Sequence, residues 1–238
     1  MPLARRPADL RTAETRQRII ETSLRLFAEH GFKGVSVRDI SAAAGVNVAS
    51  VSYHFGSKQG LYRTLFEVVL DEDQRSFTEQ MGNVSRLLGR AGGDRALLAA
   101  AVEGLVAGIV GRIASYEHAH SFGVLLAREL ALPGDLFELI YRRRADPLLT
   151  MMTRVVAAAW GASAEDPSAR LCANLLYGQV GNLVFSRPVL WRQMGWDGVS
   201  PERADLLIRT ITDLICRSLA LAPANVPARG QTAPEVIQ

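Results

Sequence analysis

Apolar residues recur at three- and four-residue intervals along most of this 238-residue chain. That period commits it to helices. Ile20, Leu24 and Phe27 form one stripe, with Ile19, Ser23 and Leu26 beside it. A half-buried strand would instead alternate with period two, and no run of alternating β-branched residues bounded by hairpin turns occurs. The fold class that follows is all-α.

Capping residues and breakers divide the helical pattern. The first helix is expected from about Thr12 to His30, where Gly31 supplies a stop and Phe32 packs back on the last turn. Ser36 can cap a short helix, Val37–Ala44, which Gly45 breaks. Asn47 can cap another, about Val48–His54, which Gly56 and Ser57 break. A long helix then runs from Ser57 to about Met81, and the glycines between Gly82 and Gly93 predict a loop. Further helices are expected over about Asp94–Ser115, Glu117–Ala131, Asp135–Trp160 with Pro147 as a kink or break, Glu165–Phe185 and Pro201–Leu221. Residues 222–238 hold three prolines and few large apolar side chains, which predicts a disordered tail.

Hydrophobic residues make up 48 % of the chain, enough for a sizeable core and too many for a mainly disordered one. Two cysteines, Cys172 and Cys216, cannot form a disulfide framework, so a cytoplasmic location is expected. Met1–Arg18 has no apolar core of a secretory signal. Ala96–Ala114 is the most membrane-like stretch, but Glu103 sits near its middle, so a buried bundle helix is expected and no membrane partner. The charge is uneven. Residues 1–63 carry ten Lys or Arg against five Asp or Glu, whereas the remainder is slightly acidic. Only the first quarter therefore suits a polyanion.

That basic quarter contains VRDISAAAGVNVASVSYHF, residues 37–55, which has the form of a helix-turn-helix. Ile40 and Ala44 face inward on the first short helix, Val51 and Phe55 on the second, and Val46 plugs the core after the turn. Ser41 is small where the helices would cross, and Gly45 fits a turn of positive φ. The second helix then presents Val48, Ala49, Ser50, Ser52, Tyr53 and His54 outward, a shape that fits a major groove. Periodicity alone leaves this nearly even with an ordinary helical hairpin inside an all-α enzyme.

Residues 12–66 resemble the DNA-binding domain of the TetR/AcrR transcriptional regulators. The resemblance rests on LFAEHGFKGVSVRDISAAAGV followed by SVSYHFGSKQGLY. GVNVASVSYHFGSKQGLY, ARELALP and YGQVGNLVF also resemble the CecR (CerR)-type subgroup. The resemblance implies a three-helix DNA-binding domain at residues 12–56, preceded by a basic arm at 1–11. It implies a larger helical-bundle domain at 57–221 for ligand binding and dimerisation, entered by a connecting helix at 57–81. The implied function is a sequence-specific regulator of transcription, in the first instance a repressor. Its partners would be a palindromic operator in double-stranded DNA, a second copy of the chain and a small-molecule effector. The exposed recognition face departs from the family pattern, with Val48, Ala49, Ser50 and Ser52 where larger or more polar residues are common.

With few base-edge donors on that face, Arg38 and Asn47 matter more. Arg38 carries a forked guanidinium suited to guanine or phosphate. Tyr53, His54 and Lys58 are assigned to backbone phosphates, and Arg5, Arg6 and Arg11 could follow the backbone or a minor groove. The competing reading is an all-helical enzyme or small-molecule carrier with no DNA role. Against it, His118 and His120 are two apart and make a poor chelate, and HExxH, CxxC, P-loop and GxSxG patterns are absent. No catalytic residue, metal or cofactor is assigned. For an effector, the polar or large residues interrupting apolar helices are candidates: Tyr116, His120, Phe122, Arg128, Met151, Arg154, Tyr177, Gln179 and Asn182. For a dimer, the last two long helices have more apolar circumference than one core needs, with Leu171, Leu175, Gly178, Leu207, Ile211 and Leu214 facing the partner.

Overall fold

The computed structural model describes residues 7–72, 74–115 and 119–221, which form helices joined by short turns, with no strand among them. The order is α1 (Pro7–Gly34), α2 (Val37–Ala44), α3 (Val48–Phe55), α4 (Lys58–Glu72), α5 (Gln74–Ala91), α6 (Arg95–Ser115), α7 (Ala119–Ala131) and α8 (Phe137–Ile140). A π turn (Tyr141–Ala145) leads into α9 (Asp146–Trp160), followed by α10 (Pro167–Phe185), α11 (Arg187–Met194) and α12 (Pro201–Ser218). Arg5, Arg6 and Tyr116, and the tail expected at 222–238, lie outside the described residues.

Local chemistry accounts for most boundaries. The regular part of α1 ends at Gly31, whose φ of 74° is left-handed. Phe32 then turns back, 5.8 Å from Phe27 and 4.9 Å from Tyr62 between ring centroids. Two expectations fail. The glycines at 82 and 89 do not end a helix: α5 runs to Ala91, because Met81, Val84 and Ala91 are buried on one stripe and packing outweighs the glycine cost. The sequence reading gives no element between Phe185 and Pro201, where α11 forms with Pro188 in its first turn and Gly195 closing it at φ 66°.

Pro147 acts as expected, but through an unexpected device. It has no N–H for the carbonyl of Arg143 four residues back. The π turn absorbs the mismatch, and the Arg144 guanidinium donates to that carbonyl at 3.2 Å. The same guanidinium donates to the carbonyl of Leu70 near the end of α4 at 3.0 Å and lies over the Phe77 ring.

Packing divides the chain into two units: residues up to Thr78 with Ser115–Asp146, and Glu79–Ala114 with the residues from Pro147 on. This division falls elsewhere than at residue 56. The first unit's core joins Ile19, Leu24 and Phe27 of α1, Ile40 of α2, and Val51 and Phe55 of α3 to Leu61, Leu65 and Phe66 of α4. It also takes in Leu125, Leu136 and Ile140. The helix-turn-helix is thus the exposed part of a larger packed body. In the second unit, α6 contributes Leu98, Val102, Leu105, Val106 and Val110 to the core, and Glu103 is exposed. Helix α6 is long and apolar enough to cross a membrane by length and composition, and it sits here among α9, α10 and α12 residues as a bundle helix.

Candidate nucleic-acid interface

The short helix α2 is held at its start by a reciprocal pair: the Ser36 hydroxyl accepts from the Asp39 N–H at 3.2 Å, and Asp39 Oδ2 accepts from the Ser36 N–H at 2.8 Å. These bonds hold the Asp39 carboxyl below the usual carboxylate range. At its end Gly45 adopts φ 64°, and the Val46 N–H donates to the Ser41 carbonyl at 3.0 Å. Ser41 is buried and turns its hydroxyl onto the Val37 carbonyl, so a small residue stands at the crossing, as the sequence suggests. Asn47 caps α3 by accepting from the Ala49 N–H at 3.0 Å.

Val51 and Phe55 fasten α3 inward, and the opposite face is open. Val48 is 43 % exposed and Tyr53 80 %; Ala49 and Ser52 are exposed, and Ser50 and His54 are half-buried. Arg38 is exposed on α2. This is a mostly uncharged helix face, able to fill a groove and contact thymine methyl groups, and the preceding helix carries the exposed Arg38 guanidinium. Asn47 has its Oδ1 committed to the cap, so its amide N–H groups are what it can offer. The Tyr53 and His54 rings meet edge-on at 5.1 Å, which limits how the exposed phenol swings.

Lys58 departs from its assignment as a simple phosphate ligand. Its ammonium donates to the carbonyls of Phe32 and Val35, each at 2.9 Å, and lies 4.3 Å from the Phe32 ring centroid. Two of its three donors therefore tie the α1–α2 link to the start of α4, and one remains for an anion. A residue missed from the sequence is Arg16, whose guanidinium lies 5.5 Å from the Phe55 ring centroid at the end of α3. No local spacing signals a contact across that distance in sequence.

The proposed pocket residues are dispersed. Arg128 donates to the Phe27 carbonyl at 3.3 Å beside the Gly31 bend, and Phe122 packs 5.3 Å from Phe66. Next to Arg128, Glu129 accepts from the Tyr62 hydroxyl at 3.0 Å, while burial and that carboxylate push the Tyr62 phenol up. His120 is half-buried on α7 of the same unit. In the second unit Arg154 reaches Ser85 at 3.4 Å beside Met151, while Gln179 and Asn182 are exposed. Tyr177 is half-buried, its phenol raised by burial. The second unit's cavity is lined by none of these but by Val102, Leu105, Val106, Ile109, Met152, Val155, Val156, Leu176, Val180, Ile215 and Leu219.

The helices assigned to a dimer carry two faces each. On α10, Ala169, Ala173, Leu176 and Val180 point inward, while Leu171 (62 % exposed), Leu175 (63 %) and Gly178 point out. On α12, Leu207 is buried in the chain's own core, which corrects its assignment to a partner face. Its neighbour Leu206 and one further residue, Leu214, are the exposed leucines, and Ile211 is half-buried.

Two families match this chain. Residues 19–65 match "Bacterial regulatory proteins, tetR family", and residues 98–221 match "HTH-type transcriptional dual regulator CecR, C-terminal domain". The chain is 25 % identical over 210 residues to the HTH-type transcriptional dual regulator CecR of Shigella flexneri, covering 87 % of this chain and 93 % of that protein. It is 46 % identical over 71 residues to the HTH-type transcriptional regulatory protein RaaS of Mycobacterium tuberculosis, 30 % of this chain and 32 % of that one. Among solved structures, AibR in complex with isovaleryl coenzyme A and operator DNA aligns with a TM-score of 0.55 at 16 % identity, over 84 % of this chain and 97 % of that one. The hemolysin II transcriptional regulator HlyIIR aligns at 0.53 and 17 %, over 85 % and 99 %. At these identities the structural likeness speaks to the fold.

Proposed function

Because this chain belongs to the tetR family of bacterial regulatory proteins, with a C-terminal domain of the CecR type, and is a DNA-binding transcriptional regulator, we propose that it represses transcription in the cytoplasm as a homodimer released from its operator by a small molecule, with no enzymatic step. The observation that carries this is the capped, core-fastened α3 with an open outer face, with Arg38 exposed on the preceding α2. Val48, Ala49, Ser50 and Ser52 enter the major groove. Arg38 reads a base edge, with Asn47 near it. Tyr53, His54 and the remaining donor of Lys58 hold phosphates.

One such helix reads only a few base pairs, so two copies related by a two-fold axis read a palindrome. The partner face is formed by Leu171, Leu175 and Gly178 of α10 with Leu206, Ile211 and Leu214 of α12, packed as a four-helix bundle. The effector acts by favouring a spacing of the two recognition helices that does not fit the operator, for which a coupling of about 1–3 kcal/mol is sufficient. A mobility-shift titration against the DNA upstream of its own gene, at stated salt, tests the reading. A discrete complex surviving excess random DNA is expected, and binding that random DNA abolishes would refute it.

A further inference from the structure

The sequence of α3, VASVSYHF, holds none of the side chains that most often single out a base by hydrogen bonds. Arginine and lysine select guanine, asparagine and glutamine select adenine, and carboxylates select cytosine. Asn47, just before the helix, turns its Oδ1 onto the Ala49 N–H, and Lys58, just after it, is held by two carbonyls. His54 is half-buried, with its ring 5.1 Å from that of Tyr53 and 5.9 Å from that of Phe55.

What α3 offers instead is alkyl surface and hydroxyl groups. Ala49, Ser52 and Tyr53 are spaced by three and four, so they share one outward face, and all three are exposed. Val48 opens the helix and leaves 43 % of its surface in water although its side chain is wholly apolar. Val51 and Phe55 are buried, which leaves Val48 and Ala49 as the uncovered alkyl groups of α3. The hydroxyls of Ser50 and Ser52 donate as readily as they accept, so they do not tell the 4-oxo group of thymine from the 4-amino group of cytosine. The base edges of the major groove carry one apolar feature, the methyl group on C5 of thymine. 5-Methylcytosine carries the same group in the same place.

We infer that α3 recognises the 5-methyl group of pyrimidines. The operator positions beneath Val48 and Ala49 are then 5-methylpyrimidines, thymine in unmodified DNA, and 5-methylcytosine is read in the same way. This rests on the reading of the chain as an operator-binding regulator and names the feature of the operator that its recognition helix selects. Contact between these alkyl groups and the base methyl takes both out of water, and discrimination follows from the area covered, about fourfold for each methyl group. Guanine is left to Arg38 on the preceding helix. Enzymatic C5 methylation of a cytosine beneath α3 strengthens binding, which makes the operator sensitive to that modification.

The test uses the full-length protein and the duplex it enriches from a random pool, with affinity read by fluorescence anisotropy at one stated salt. Thymine is replaced by uracil at each position of one half-site in turn, which removes the methyl group and keeps every hydrogen-bonding group. Two positions are expected to lose about fourfold each. Cytosine and 5-methylcytosine, each paired with guanine, are then compared at those positions, and the methylated base binds about fourfold tighter. Val48→Ala, at an exposed site, leaves the thermal melt unchanged and shrinks the ratio at one position to about twofold or less. A specific site bound equally with thymine and uracil overturns the inference, as does a methyl effect on thymine with none on cytosine. Ratios untouched in Val48→Ala also overturn it, because the methyl group then acts through the shape of the duplex. In each of these cases specific binding survives, so the regulator reading stands. A pool that stays random takes down both.

Discussion

Two adjacent leucines on α12 and one on α10 should respond to substitution in opposite ways. Leu175 leaves 63 % of its surface in water in the single chain, whereas Leu207 leaves 8 %. Burying a whole leucine side chain is worth about 2 kcal/mol, so covering the exposed part of Leu175 contributes about 1.3 kcal/mol per copy. A two-fold axis uses the residue twice, so Leu175→Asp forfeits about 2.5 kcal/mol of association and also brings two carboxylates into an apolar patch. The dimer should therefore weaken by at least about fiftyfold, with little change in melting temperature. Leu206→Asp, on the outer face, should behave alike. Leu207→Ala removes core atoms instead, which costs about 2–5 kcal/mol of folding and roughly 5–15 °C in melting temperature. Sedimentation velocity across micromolar concentrations, with thermal melts of the same samples, separates the cases. The chain mass is 25.9 kDa, so the wild type should run at twice that and Leu175→Asp at that value. If Leu175→Asp stays dimeric, or Leu207→Ala is monomeric with an unchanged melt, the assignment of the two faces is wrong.

Lys58→Met should lower thermal stability by about 1–3 kcal/mol through the two abandoned carbonyls, and should weaken binding to all DNA sequences alike; an unchanged melt would mean the strap contributes nothing. Arg38→Ala should leave stability intact and relax discrimination at one operator position by about 1–3 kcal/mol, read from competition with single-base variants. Tyr62→Phe should cost about 1–3 kcal/mol by leaving the Glu129 carboxylate without its hydroxyl donor; a neutral result in thermal melts would remove this bond from the account. For Asp39, hydrogen bonds from Ser36 depress the folded pKa, so its contribution is complete above the unfolded value of 3.8 and is lost as pH falls through and below it. Asp39→Asn should accordingly melt lower at neutral pH and lose less between about pH 5 and pH 3 than the wild type.

Signals carried within one turn of chain were legible in the sequence. Ser36, Gly45 and Asn47 act through neighbours two to five residues away, so their pattern gives the boundaries of α2 and α3. What depends on distant partners was not. Lys58 has a sequence context that suits a phosphate, but its nearest acceptors are carbonyls 23 and 26 residues earlier. Arg128 reads as a pocket cation until Phe27 is found beside it. Leu206 and Leu207 are neighbours whose 100° separation decides core against surface, and an apolar helix with two buried-looking faces does not announce which is which. Gln80 of α5 donates to the carbonyls of Gly104 and Leu105 on α6, 24 and 25 positions on, and this leaves no periodic trace.

The claim that governs the rest is that a two-fold pair of α3 helices reads DNA. Selection of bound duplexes from a random pool by the purified full-length protein, at stated salt and with Arg38→Ala in parallel, tests it directly. The account predicts enrichment of a palindrome whose two half-sites both lose definition at one base pair in the Arg38→Ala pool. A pool that stays random, or an enriched site without two-fold symmetry, would contradict it.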